Sequence, residues 1–229
     1  MASLREHPDA ATLTAALAQE VVRRLKEDLA RQDLAVLVVS GGKSPIPLFQ
    51  ALSGQPLDWA RVTVTLADER WVPADHPDSN EGLVRTHLLK GKAAAAAFLP
   101  LYTGEDAPEA AAEAVATRLE ALPRPFSQVI LGMGEDGHTA SLFPDAPELA
   151  QGLGTPAYAL AVRPGLAPHP RMSLSLKALL DSRDIALSTS GEVKRRLLER
   201  ALGEGPAEEL PVRAILRQTA VPVTIHWAP

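Results

Sequence analysis

Two unbroken apolar runs, at residues 34–39 and 129–131, with a further strand expected at 62–67, limit the folds open to this chain. A strand with one wet face alternates polar and apolar residues, so an unbroken run needs cover on both faces. Helical patterns separate these runs. Residues 12–31 place Leu13, Ala16, Leu17, Val21, Leu25 and Leu29 near helical spacing, with charged residues between them. Asp78, Ser79 and Asn80 offer capping side chains for a helix over 81–89, and an Ala- and Glu-rich helix over 107–122 ends at Pro123 and Pro125. Further strands are expected at 157–162, 184–188 and 221–227, with a helix running to Leu202. Residues 171–176 alternate as a strand or an extended helix entry, 91–97 read as a connector, and 164–170 as irregular.

Strands alternating with helices predict an α/β fold, a doubly wound, mostly parallel sheet with helices on both faces, Rossmann-like. No repeat or strong internal boundary interrupts it, so residues 1–229 are expected to form one domain. Such sheets bind ligands at the carboxyl ends of their strands. Four predicted strand ends here are polar.

The first polar end is Ser40-Gly41-Gly42-Lys43-Ser44, followed by Pro45 and an apolar helix for which Ser44 is the expected N-cap. Strand, glycine loop and helix together point backbone N–H groups at an anion, although the spacing is not that of a Walker loop. The second is Asp68-Glu69-Arg70, either a cluster at a helix entry or ligand contacts. The third is Gly132-Met-Gly134-Glu135-Asp136-Gly137-His138, whose glycines permit tight turns that present two carboxylates and an imidazole. The fourth spans 188–194 and ends in Lys194.

A net charge of −5 argues against nonspecific nucleic-acid binding, while leaving an anionic small ligand open if cations gather locally. The absence of cysteine excludes disulfides and thiolate chemistry. No apolar stretch has the length of a signal peptide core or a membrane span, which makes a cytoplasmic location the expectation. Asn80 is the only asparagine, a bias that selection against thermolabile side chains and a GC-rich genome would both produce.

The motifs at these strand ends, taken in order, resemble the 6-phosphogluconolactonase family. They are Ser40-Gly-Gly-Lys-Ser-Pro, Asp68-Glu-Arg-Trp-Val-Pro with Asp78-Ser-Asn80 after it, Gly132 through His138 with Thr-Ala-Ser-Leu-Phe-Pro144, and Arg171-Met-Ser-Leu-Ser. The block from Gly132 to Pro144 is the most specific. The resemblance implies hydrolysis of a phosphorylated sugar lactone without a required cofactor, with His138 as general base and Asp136 orienting the imidazole or the water. By the same implication Arg70 contacts substrate oxygens or phosphate, and Ser40, Gly41, Gly42, Lys43, Ser44, Arg171 and Lys194 hold the phosphate. Asp68 joins the substrate-binding set or, like Glu135, braces a loop. A deaminase-type isomerase of the same superfamily has a similar glycine loop but continues differently after the histidine. A noncatalytic sugar-phosphate sensor would carry a DNA-binding helix-turn-helix, for which the N-terminal region supplies one clear helix and no basic face. His7, His76, His87, His169 and His226 read as structural or surface residues, and no spacing among them argues for a metal.

Overall fold

The computed structural model describes residues 2–229. Its strands are β1 (Ser3–Glu6), β2 (Ala35–Val39), β3 (Val62–Leu66), β4 (Asp68–Arg70), β5 (Ala97–Leu99), β6 (Gln128–Leu131), β7 (Ala159–Val162), β8 (Arg171–Leu174), β9 (Ile185–Ser190) and β10 (Val223–Ala228). The helices are α1 (Ala10–Leu29), α2 (Ile46–Ser53), α3 (Asn80–His87), α4 (Pro108–Glu120), α5 (Leu149–Gly154), α6 (Leu176–Leu180), α7 (Glu192–Leu202) and α8 (Val212–Leu216).

Seven strands form a parallel sheet in the order β1-β10-β9-β6-β2-β3-β5. Its central strands β2 and β6 are buried at every residue, as their apolar runs 35–39 and 129–131 require, and helices surround the sheet. The α/β architecture expected from the sequence is therefore present. Four details differ. The chain 68–70 is not a simple exit from the parallel sheet: β4 pairs antiparallel with β8, and β8 with β7, in a second sheet of three strands. Two edge strands were not anticipated, β1 with four exposed residues and the three-residue β5 with one exposed and two partly buried, because neither is long enough to carry a readable hydrophobic period. Ser44 does not cap α2; Pro45 occupies that position and no side chain supplies a cap bond. Helix α1 begins at Ala10, earlier than the apolar pattern indicates, because the Asp9 carboxylate accepts from Thr12 N at 2.7 Å.

One histidine has an unforeseen setting. His226 on β10 is wholly buried. Its Nδ1 lies 3.1 Å from His7 Nε2, and its Nε2 lies 3.6 Å from Glu20, which is itself paired with Arg5 at 2.5 Å. Burial, reinforced by the charges of His7 and Arg5 and opposed by Glu20, lowers its pKa from 6.5 to about 4. Between those values the unfolded chain binds the extra proton, so this contribution to stability is present above the unfolded pKa and is lost as pH falls toward 4. Between pH 7 and 4 the wild type should therefore lose roughly 3 kcal/mol more stability than His226→Gln. Urea denaturation across that range measures the difference, and parallel profiles would exonerate His226.

Candidate active site

A cleft of about 380 Å³ opens where β2, β6 and β9 end, within the roughly 300–1,000 Å³ usual for small-molecule sites. Ser40 and Gly41 leave β2, Gly132 leaves β6, and Ser190 ends β9, so three of the four polar strand ends meet directly at one sheet edge. The fourth arrives through the second sheet. Asp68 and Arg70 line the cleft, while Glu69, between them on β4, points the opposite way.

Glu69 is buried and accepts from Asn80 N at 2.8 Å, Glu81 N at 2.7 Å and Ser79 Oγ at 3.2 Å, serving the start of α3. Burial raises its pKa to about 7 against the pull of those N–H donors. Of the two acids before Arg70, one thus belongs to a helix entry and the other to the cleft.

The glycine loop after β6 is fixed by a few close contacts. Gly134 N donates to His138 O at 2.9 Å and Gly137 N to Gly134 O at 3.1 Å, folding the loop back on itself. A Cβ at Gly134 would sit 2.2 Å from the His138 ring and 2.6 Å from Asp136 Oδ1, so only glycine leaves room for the imidazole. His138 Nδ1 lies 2.6 Å from Asp136 Oδ1, and Phe143 packs on the ring at a centroid distance of 4.2 Å. Burial works to raise the Asp136 pKa, but the hydrogen bond and charge of His138 outweigh it and hold the carboxylate below its usual range. With Nδ1–H committed to the carboxylate, the lone pair falls on Nε2, the tautomer a base requires.

Beyond the histidine, Ala140 takes a left-handed φ of +48°, and Ser141 Oγ donates to Asp68 Oδ2 at 2.6 Å. Ser141 N reaches Ser173 Oγ at 3.1 Å, so the loop is pinned to both β4 and β8.

Three cations face the cleft: Arg70, Arg171 and Lys194. Arg171 is buried beneath Phe143, with its guanidinium 5.7 Å from the ring centroid. Desolvation pulls its pKa below the ordinary value, and the charge of Asp68 opposes that shift. Four buried side-chain atoms here, Ser40 Oγ, Arg70 Nε, Asn80 Oδ1 and Thr189 Oγ1, have no hydrogen-bond partner in the protein, out of ten such atoms among the described residues. Buried polar atoms are rarely left unpaired, so their concentration here points to a polar ligand.

Of the residues singled out in the sequence, Ser40, Gly41, Gly42, Ser44, Asp68, Arg70, His138, Arg171 and Lys194 line the cleft, and Asp136 backs His138. Lys43 and Glu135 do not; both are exposed and lie outside its lining. Asn80 and Thr189 were missed. A Cβ on Gly41 would lie 1.8 Å from Asn80 Oδ1, so the first loop and the α3 N-terminus meet at van der Waals limits. The sequence signal for Asn80 was its singularity, obscured by its place in a capping motif that Ser79 in fact fulfils.

Comparison with known proteins gives concordant results. A family model described as glucosamine-6-phosphate isomerases/6-phosphogluconolactonase matches residues 8–227. A 6-phosphogluconolactonase of Pseudomonas aeruginosa is 48% identical over 220 residues, covering 93% of this chain and 89% of that protein. The crystal structure of a 6-phosphogluconolactonase from Shewanella baltica superposes with a TM-score of 0.98 at 42% identity, covering 100% of this chain and 98% of that one. A monomeric glucosamine-6-phosphate deaminase shares the fold with a TM-score of 0.83 at 18% identity, over 99% of this chain and 97% of that one.

Ser141→Ala should cost about 1.5–3 kcal/mol, because it strands a buried carboxylate oxygen of Asp68. Denaturant unfolding measures the loss; an unchanged midpoint would mean that the bond does not join the loop to the second sheet.

Proposed function

The chain belongs to the glucosamine-6-phosphate isomerase/6-phosphogluconolactonase family, and from that premise we propose that it hydrolyses 6-phospho-D-glucono-1,5-lactone to 6-phospho-D-gluconate. The observation that carries the reading is an imidazole oriented by a carboxylate at 2.6 Å, in a cleft that also gathers three cations. Hydrolysis of a lactone needs a base for water, charge stabilisation at the carbonyl oxygen and a hold on the distant phosphate.

His138 Nε2 takes a proton from the attacking water as its oxygen bonds to the lactone carbonyl carbon. The carbonyl π electrons move to its oxygen, and donors of the cleft stabilise the resulting anion. Collapse re-forms the carbonyl and breaks the ring C–O bond; the leaving alkoxide takes the proton back from His138. Asp136 keeps the imidazole in one tautomer throughout and offsets its transient positive charge. Arg70, with Nε unpaired, donates to substrate oxygens, and Asp68 accepts from a substrate hydroxyl while braced by Ser141. Arg171, Lys194 and the loop of Ser40, Gly41, Gly42 and Ser44 receive the phosphate.

We read residues 1–229 as one functional unit, since the cleft draws on side chains from Ala10 to Lys194. The proposed reaction is the second step of the oxidative pentose phosphate pathway, and the proposed location is the cytoplasm. No helix among the described residues is long and apolar enough to cross a membrane.

His138→Ala should keep the fold and lower turnover about a hundredfold or more. The assay is lactone hydrolysis corrected for the spontaneous reaction, with glucosamine 6-phosphate as a parallel substrate. Near-wild-type turnover would remove His138 from the chemistry, and release of ammonia from the amino sugar would favour the isomerase activity instead.

Lys194→Ala should weaken use of the phosphorylated lactone by about 1.5–3 kcal/mol, the range of a charge-assisted contact, and leave unphosphorylated gluconolactone nearly unchanged. Added salt should discriminate in the same direction. Equal losses on both substrates would take Lys194 out of the phosphate pocket.

A further inference from the structure

Outside the catalytic cluster, His76, Asp78 and His169 converge at the rim of the cleft. One ligand atom from each lies within 4.8 Å of the other two, the one group of three or more such side chains among the described residues. Asp78 Oδ2 is 3.0 Å from His169 Nε2 and 3.9 Å from His76 Nδ1, and the two imidazoles meet edge to face at a centroid distance of 5.3 Å. Their side chains are 28–51% exposed, so an ion reaches them without opening the fold.

Two imidazoles and one carboxylate make a donor set suited to zinc and related divalent cations, with a fourth position left for water. Tetrahedral bonds of about 2.0–2.2 Å put neighbouring ligand atoms about 3.4 Å apart. Closing the observed spacing therefore takes rotation of these partly exposed side chains and, for ligation through His76 Nδ1, release of the bond that this nitrogen accepts from Asp78 N at 3.1 Å. His169 also holds a left-handed φ of +69°, a conformation that a non-glycine residue adopts at a cost and that turns this loop toward Asp78.

The same two loops hold the arginines of the cleft by their carbonyl groups. Arg70 Nη1 donates to Asp78 O at 2.5 Å, and Arg171 donates to Pro168 O at 3.0 Å and His169 O at 3.3 Å. An ion that joins the side chains of Asp78 and His169 fixes the backbone oxygens on which both guanidinium groups rest. The metal stays outside the hydrolytic step.

We propose that His76, Asp78 and His169 bind one divalent cation of the zinc class, and that the ion staples together the loops that position Arg70 and Arg171. The binding claim is independent of the function proposed above; the effect on substrate capture rests on it.

The test uses the full chain, freed of metal with a chelator and titrated with Zn²⁺ by calorimetry, with Co²⁺ as a spectroscopic probe of coordination. One equivalent should bind, and His169→Ala and His76→Gln should each weaken binding at least tenfold while circular dichroism stays unchanged. Zn²⁺ should raise the melting temperature of the wild type and not that of the variants. It should also lower KM for the phosphorylated lactone in the wild type alone, with kcat little altered. Absence of stoichiometric uptake, or uptake that both variants retain, overturns the site. Uptake with an unchanged KM overturns the staple. A protein that binds Zn²⁺ through these residues yet hydrolyses no lactone leaves the site standing and refutes the proposed activity.

Discussion

The backbone of Ala67 is shared between two sheets, and the cleft depends on that division. Its N–H donates to Val39 O at 2.8 Å within the parallel sheet, and its C=O accepts from Leu174 N at 2.9 Å at the edge of the antiparallel one. Beyond it the chain follows β8 instead of continuing β3. Strand periodicity then sends Asp68 and Arg70 toward the cleft and Glu69 to the start of α3, where its carboxylate accepts the N–H groups of Asn80 and Glu81. The helix so fixed delivers Asn80 against Gly41. One change of sheet thus positions three polar residues of the cleft and the helix that backs them.

The second joint is the hydrogen bond from Ser141 to Asp68, which anchors the histidine loop to this displaced strand. A loop carrying a base is useful only if the base stays within a fraction of an ångström of its target. Here the loop's own bonds, the Thr139 Oγ1 contact to Gly132 O at 2.9 Å and the Ser141 contacts to two strands leave His138 little freedom. Stability is sacrificed in the same place: Ala140 is left-handed, Arg171 is desolvated, and several buried polar atoms lack partners. Such costs persist where a ligand offsets them; four of the ten unpartnered buried side-chain atoms among the described residues lie at this cleft, and the other six are spread over the rest of the fold.

Much of the fold was readable because its central strands carry unbroken apolar runs, at 34–39 and 129–131, and only a sheet covered on both faces buries them. The edge strands were not. The residues of β1 are all exposed, and its strand conformation comes from pairing with β10, more than two hundred residues away in sequence. For the candidate site, the loop motifs identified most of the lining, yet Lys43 stands outside it and Asn80 inside. A glycine loop bears its cation inward or outward according to where the following helix starts, and α2 starts at Ile46 without the expected serine cap. Likewise Asp78 and His169, 91 residues apart, offer no common spacing to read.

By itself the sequence determined the mostly parallel sheet, the edge where its polar strand ends gather and the closeness of Asp136 to His138 on one glycine loop, because hydrophobic periodicity and short glycine loops act through neighbours along the chain. Only the tertiary structure decided that β4 joins a second sheet, that Glu69 turns away from the cleft, that His226 is buried beside Glu20, and that His76, Asp78 and His169 meet. Each of those outcomes depends on which distant backbone or side-chain group completes a hydrogen bond or excludes water, and such pairing is fixed by packing in three dimensions and not by spacing along the chain.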